Sequence, residues 1–354
     1  MSRPTKAEIN FSSLNFNLKK LRNISPKSEF FPVVKANAYG HGAREVVKYL
    51  ENKVEGFCVA TTEEAINLRK VSNLKILDME GPYDMSDINE AHYKKIDFVI
   101  HSARQLNLLS KLKKISNNLS VWIKFDSGMN RLGFDKDEVI KAIIEIQKKT
   151  KNIVLMSHFS SYRGNPKQLK LFNTLEKSLA ENGIVAKRSL CNSGGMINYP
   201  SSQKDIARPG LCLFGSKSNL IDKNINLKPV MNLKSKFISI KNIKKDQIVG
   251  YEGTWKAKRN SVIGILPIGY ADGYPINLSN KGYVKIQKKL APVVGKVSMD
   301  MLAIDITSFN KISYKDEVIL WGDGHEVDTV AKYADNSPYS LLSGLTERVN
   351  RTYI

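Results

Sequence analysis

Phe30-Phe-Pro-Val-Val-Lys-Ala-Asn-Ala-Tyr-Gly-His-Gly42 is the stretch whose reading decides the fold. An almost wholly apolar strand ends in Lys35, a turn containing Gly40 and Gly42 follows, and a helix begins near Ala43. The same grammar repeats to about residue 215. Short β-rich runs at 30–34, 56–60, 74–77, 97–100, 120–124, 153–157, 188–191 and 211–214 alternate with longer segments of helical periodicity. Thr61-Thr-Glu-Glu64 fits a capping box ahead of Ala65, Leu68 and Val71. Asp135-Lys-Asp-Glu138 opens another helix, with Val139, Ile143 and Ile146 three or four apart. Eight strands alternating with helices predict an α/β fold of the (β/α)8 TIM-barrel kind. An open doubly wound sheet competes, but no G-x-G-x-x-G follows any of these strands.

Past residue 228 the pattern changes. Alternating runs at 237–240, 261–266, 282–286, 292–297, 302–306 and 317–320, separated by Gly and Asp turns, predict a mostly antiparallel β domain. At 354 residues the chain is too long for one comfortable core, and two domains are expected, 1–227 and 228–354. The first alternating run, near 4–11, joins either one.

The net charge of +21 invites a nucleic-acid hypothesis. The lysines are scattered singly and in pairs, however, mostly on polar faces, with no RNP-like strand or helix-turn-helix beside them. A solvated basic surface accounts for them better, so no nucleic-acid partner is expected. Cys58, Cys191 and Cys212 show no metal-ligand or redox spacing and read as small buried hydrophobes. No metal is expected. The absence of a long apolar run argues against a membrane span, and the opening residues lack a signal-peptide core. A cytoplasmic protein is the expectation.

A lysine where a barrel strand ends stands where catalytic groups point, and desolvation there frees an amine to attack a carbonyl. Periodicity alone favours the plainer alternative, a lysine snorkelling from a strand end. The literal residues shift the balance. Val-Val-Lys-Ala-Asn-Ala-Tyr-Gly-His-Gly resembles, residue for residue, the pyridoxal 5′-phosphate attachment signature of the alanine racemases. The resemblance implies that Lys35 holds the cofactor as a Schiff base and that Tyr39 contacts its phosphate.

Further segments resemble that family in the same order. Lys124-Phe-Asp-Ser-Gly-Met-Asn-Arg-Leu-Gly133 resembles its K-x-D-T-G-M-x-R-L-G segment. By that likeness Arg131 meets the cofactor phenolic oxygen and the substrate carboxylate, and Lys124 is a candidate for carbamylation. Ser157-His-Phe-Ser160 implies a supporting place for His158 beside the cofactor ring. Cys191-Asn-Ser-Gly-Gly195 resembles the phosphate-binding turn, giving Ser193 to the phosphate. Asp205-Ile-Ala-Arg-Pro-Gly-Leu211 implies that Arg208 faces the pyridine nitrogen, while Gly210 and Leu211 offer backbone amides to the phosphate. An arginine there keeps the ring nitrogen unprotonated and the cofactor a modest electron sink.

A racemase needs an acid/base on each face of its substrate. Ile248-Val-Gly-Tyr-Glu-Gly-Thr-Trp255 resembles the segment carrying the second base, so Tyr251 is paired with Lys35. This chain has Gly250 where the usual pattern has serine, and Glu252-Gly253 for the glycine-x pair. Ile265-Leu-Pro-Ile-Gly-Tyr-Ala-Asp-Gly-Tyr274 and Gly295-Lys-Val-Ser-Met-Asp300 imply that Tyr270 and Met299 border the substrate carboxylate. The closing Leu345-Thr-Glu-Arg-Val-Asn-Arg-Thr-Tyr353 resembles the family's R-V-x-R end, with Glu347 where some members place a phosphate-contacting tyrosine. The resemblance therefore implies interconversion of L- and D-alanine for peptidoglycan, in a homodimer with shared active sites. Broad-specificity or serine racemisation, or a β-lyase reaction on the same scaffold, is the alternative; a non-catalytic cofactor carrier would typically lack the C-terminal domain.

Overall fold

The runs GFCV, DFVI, VWIK and IVLM bury every residue. Strands with no polar face must be covered on both sides, as in a parallel sheet wrapped by helices. The computed structural model describes residues 3–161, 165–218, 220–221 and 225–354. Its first strand, β1 (Lys6–Ile9), stands apart from those that follow. The barrel is built from β2 (Glu29–Phe30), β3 (Gly56–Val59), β4 (Lys75–Asp78), β5 (Asp97–Ile100), β6 (Val121–Lys124), β7 (Ile153–Met156), β8 (Lys187–Ser189) and β9 (Ile206–Ala207). Strands β3 to β8 pair in parallel in chain order, and β2 pairs in parallel with β9. Bridges Val33–Cys58 and Asn192–Arg208 join the two sets and close the ring.

Two strand boundaries differ from the periodicity. The run at 30–34 pairs continuously only over β2, because Pro32 has no N–H to give the ladder. The run at 211–214 is a 3₁₀ helix, Leu211–Phe214, and the eighth strand is β9 just before it. A four-residue apolar run reads alike as strand or buried helical turn. Here Pro209 and Gly210 intervene, and the Leu213 N–H bonds back to the Gly210 carbonyl. The helix at 135–138 does open on a full capping box, but the one at 61–64 does not. Thr61 caps the Glu64 amide, while the Glu64 side chain turns to the amides of Ala36 and Ala60.

The second part holds β10 (Met231–Lys236), β11 (Ser239–Ile243), β12 (Ile248–Val249), β13 (Trp255–Lys256), β14 (Ser261–Leu266), β15 (Tyr283–Ile286), β16 (Lys289–Val294), β17 (Leu302–Asp305), β18 (Glu317–Trp321) and β19 (Asn350–Tyr353). Nine strands, β1 included, form one sheet in the order β11-β14-β17-β16-β15-β18-β10-β1-β19. All its pairs are antiparallel except β1–β19. The chain's first strand thus lies between β10 and its last strand, and the chain then crosses into the barrel through the helix Phe11–Ile24.

That helix carries Asn17, fully buried, whose amide donates to the carbonyls of Leu213 (3.0 Å) and Lys228 (2.8 Å) and accepts from the Lys228 N–H (2.8 Å). Asn17→Ala strands those groups out of water, so it should lower unfolding free energy by about 2–4 kcal/mol, read from urea denaturation against the parent.

Candidate active site

Every barrel strand ends at one cavity of about 580 Å³. Val33 and Lys35 reach it from β2, Ala60 from β3, Met79 and Glu80 from β4, His101 from β5 and Lys124 from β6. Met156 and His158 follow β7, Asn192 and Ser193 follow β8, and Arg208 and Gly210 follow β9. Of the residues singled out in the sequence, Lys35, Tyr39, Lys124, Arg131, His158, Ser193, Arg208 and Gly210 all line it.

The turn after Lys35 contains Gly40 and Gly42 at φ of 77° and 93° and leads into the helix Ala43–Leu50, as the sequence predicted, but its left-handed backbone begins before the glycines. Ala36, Asn37, Ala38 and Tyr39 stand at φ of 50°, 55°, 54° and 50°, four consecutive non-glycine residues in the left-handed region. Each costs about 1–2 kcal/mol there, and surrounding bonds must over-determine such a stretch. The Ala38 N–H donates to Val34 and that of Gly40 to Ala36. His41 Nδ1 meets the carbonyls of Ala38 (3.0 Å) and Tyr39 (2.9 Å), and Asn37 Oδ1 accepts from the Ala43 N–H (2.8 Å). The C-terminal part closes over the turn: Arg351 Nε donates to the Gly40 carbonyl at 2.7 Å. A Cβ on Gly40 would lie 2.0 Å from the Leu342 carbonyl, so only glycine fits beneath that backbone.

On the far wall, buried Arg208 donates through Nε to Ser189 Oγ (2.9 Å) and through Nη2 to the carbonyls of Ser157 (2.7 Å) and Leu190 (3.2 Å). Its Nη1 lies 3.5 Å from His158 Nδ1, and Asn192 Nδ2 lies 3.3 Å from His158 Nε2. Burial first, then the charges of Arg208, Lys124 and Arg131, hold the His158 pKa well below the ordinary histidine range. That ring is neutral at physiological pH. Lys124, at the end of β6, is pushed down to about 8 by burial and by Arg208 and Arg131. Arg131 is carried by a loop wound on Asp126, whose Oδ1 accepts from the N–H groups of Gly128 (2.8 Å), Met129 (2.8 Å) and Asn130 (3.1 Å).

Opposite the lysine turn, Ser193 opens the helix Ser193–Asn198, and its Oγ accepts from the Gly210 N–H at 2.8 Å. A Cβ on Gly210 would sit 2.8 Å from the Tyr39 hydroxyl, so glycine lets that hydroxyl approach the backbone. Burial raises the Tyr39 pKa far above the ordinary phenol value, keeping it a neutral donor. Leu211 is buried behind the wall and does not line the cavity.

Tyr251, Tyr270 and Met299 are not brought there. They stand on the C-terminal part, 71%, 45% and 52% exposed. The Tyr270 N–H bonds the Ser298 carbonyl and that of Ala271 bonds the Met299 carbonyl, which places Tyr270 and Met299 together. Buried Asp272 holds that turn, accepting from the Gly269 N–H and from both Nη atoms of Arg3 (2.6 and 2.7 Å). Glu252 pairs with Lys296 at 2.5 Å beside Tyr251.

Sequence reasoning missed Tyr339, His101 and Glu80 in the lining. Tyr339 enters from the short helix Pro338–Ser343, with its ring centroid 5.7 Å from that of Tyr39. Glu347, at the position where a tyrosine was looked for, is exposed and outside the cavity. The signal was Ser-Pro-Tyr339 eight residues earlier, a helix start whose side chain only the domain packing aims at the cavity.

The cavity fits pyridoxal 5′-phosphate. Its volume suits a small ligand, a lysine stands at its mouth, an arginine faces its interior, and Tyr39 and Ser193 line it as polar groups suited to an anion. Fold and cavity together define a pyridoxal phosphate-dependent barrel enzyme. Family models for the N-terminal and C-terminal domains of alanine racemase match residues 9–218 and 230–353. The alanine racemase of Actinobacillus succinogenes is 37% identical over 360 residues, 99% of each chain. Among solved structures, the biosynthetic alanine racemase of Pseudomonas aeruginosa superposes with a TM-score of 0.91 at 37% identity, covering 99% of each chain. That of Bartonella henselae, solved with covalently bound pyridoxal phosphate, superposes at 0.89 with 29% identity over 99% of each. This chain belongs to the alanine racemase family.

The depressed Lys124 pKa has a stability consequence. Between about 8 and the ordinary lysine value of 10.5 the unfolded chain binds more protons at this site than the folded one, so stability from this group rises with pH there. Lys124→Met should flatten that rise and raise stability at pH 7, by about 3 kcal/mol, in urea titrations run in carbon dioxide-free buffer.

Proposed function

We propose that this chain, a pyridoxal phosphate-dependent alanine racemase by family, exchanges the alanine α-proton between Lys35 on one face and Tyr251 of the partner subunit on the other. The observation that carries the reading is a division of labour. One group of candidate residues converges on the cavity, while Tyr251, Tyr270 and Met299 stand exposed on another part of the chain. A homodimer that lays this exposed edge over the cavity of a second copy completes both sites. The division of the chain near 227/228, with β1 assigned to the C-terminal sheet, belongs to the same reading.

When bound, pyridoxal phosphate supplies an electron-withdrawing ring that eases loss of the substrate's α-proton. Lys35 would hold it covalently, and its amine would move a proton at the substrate Cα on one face. Tyr251 moves the proton on the opposite face through its hydroxyl, so removal and return from different sides invert the centre. Arg131 holds the substrate carboxylate by its bidentate fork, with Tyr270 and the Met299 backbone at the entrance. Ser193, Tyr39 and the backbone at Gly210 hold the phosphate, with Tyr339 adjacent; Leu211, behind the wall, is left out of that set. Arg208 is always protonated and only donates, leaving no proton for the ring nitrogen. With Arg208 there the bound cofactor would supply a modest electron sink, sufficient for brief loss and return of the α-proton. Neutral His158 supports the ring's surroundings beside Arg208. Lys124, with its lowered pKa, is poised to take up carbon dioxide as a carbamate, releasing a proton and gaining a negative charge to brace Arg131. The D-alanine so formed, in the cytoplasm, serves peptidoglycan assembly.

Purified protein with pyridoxal phosphate should convert L-alanine to D-alanine, and other L-amino acids far less; release of pyruvate or preferential D-serine formation overturns strict alanine racemisation. Tyr251→Phe should cut racemisation by about 10²–10⁴-fold. It should also block deuterium wash-in from one alanine enantiomer only. Mixing inactive Lys35→Ala and Tyr251→Phe chains should restore roughly a quarter of parental sites, because random pairing makes half the dimers mixed with one intact site each. A carbamate resonance with ¹³C-bicarbonate, lost in Lys124→Met, checks the lysine modification.

A further inference from the structure

We infer that Glu64 is the positioning residue for Lys35: its carboxylate fixes the peptide joining Lys35 to Ala36, and so the direction in which the lysine side chain leaves the backbone. The inference rests on Lys35 being the cofactor-binding lysine.

Glu64 is the third residue of the helix Thr62–Arg69, preceded by its cap Thr61. In a capping box its side chain would curl back to the cap's own N–H. Instead Oε1 accepts from the Ala36 N–H at 2.7 Å and Oε2 from the Ala60 N–H at 2.8 Å. Ala36 opens the left-handed turn and immediately follows Lys35, and Ala60 immediately follows β3 and lines the cavity. One charged acceptor therefore ties together the mouth loops of two neighbouring barrel strands.

The location matters because of how the turn is held elsewhere. His41, Asn37 and Arg351 act on peptides further along it. The Lys35–Ala36 peptide lies at its exposed beginning, where helical amides lack partners within the turn. Without Glu64 that amide would turn to water, and the strain stored in the next four residues would be released through rotation beside Lys35. In the proposed reaction the lysine amine must alternate between attachment and proton transfer. A long side chain repeats both only if its stem stays fixed. Glu64 does not line the cavity; it acts through the backbone beside Lys35.

The test uses the holoenzymes of Glu64→Gln and Glu64→Ala. Glutamine keeps the shape but sets an NH₂ against one of the two backbone N–H groups, so it probes the same bonds if the alanine variant fails to fold. We expect kcat for alanine to fall about 10- to 100-fold while KM changes less than about twofold. We also expect hydroxylamine to displace the lysine-bound cofactor about tenfold faster, followed by absorbance. A folded variant with parental kcat and parental hydroxylamine rate overturns the inference, even if its melting temperature drops. Borohydride reduction of the parent holoenzyme, followed by peptide mapping, should find the cofactor on Lys35. Its appearance on another lysine overturns the assignment of Lys35 itself, and with it this role.

Discussion

Left-handed backbone at four successive non-glycine residues is an unfavourable conformation, and the rest of this molecule is arranged around keeping it. The turn from Ala36 to Tyr39 sets Lys35 at one side of the barrel mouth and Tyr39 deep in its wall. It is held from below by Val34, from the side by Glu64, and from within by the buried ring of His41, whose pKa burial lowers to about 4. From above it is held by Arg351 and the backbone of Leu342. The two sheets are thus coupled at the turn that carries Lys35 into the cavity lining. Neither the barrel nor the C-terminal sheet would define the lysine's position alone.

Charge is the second organising constraint. Lys35, Lys124, Arg131 and Arg208 share one cavity, and Glu80 is the acid in its lining. Arg208 is buried against a hydroxyl, carbonyls and a histidine ring rather than a carboxylate. A cavity so positive is costly when empty of anions. In the proposed function, phosphate, the substrate carboxylate and a carbamate on Lys124 each bring negative charge to it. The same field keeps His158 neutral and brings Lys124 into a range where its amine is reactive. The overall charge of +21 is a separate matter, carried by lysines on solvated faces.

Much of the site was legible before any coordinates. Lys35, Lys124, Ser193 and Arg208 sit at or just beyond strand ends, and in a barrel a strand end is already a location. What misled was local. Leu-Cys-Leu-Phe214 looked like a strand because four apolar residues carry no period. Thr-Thr-Glu-Glu64 looked like a capping box because the motif cannot tell where the glutamate's oxygens will find their donors. Glu347 drew attention to a missing tyrosine, while Tyr339 supplied one from a neighbouring helix.

By itself the sequence determined the alternation of strands and helices, the change to antiparallel strands, and which residues to look for at the barrel mouth, because hydrophobic period and motif are written within a few residues of one another. Only the tertiary structure decided that the first strand joins the last one, that the lysine turn is left-handed, and that Tyr251, Tyr270 and Met299 stand outside the cavity. The first strand's pairing with the last and the bond from Arg351 to the turn at Gly40 join segments more than three hundred residues apart, and such contacts settle a backbone that local preference alone would place elsewhere.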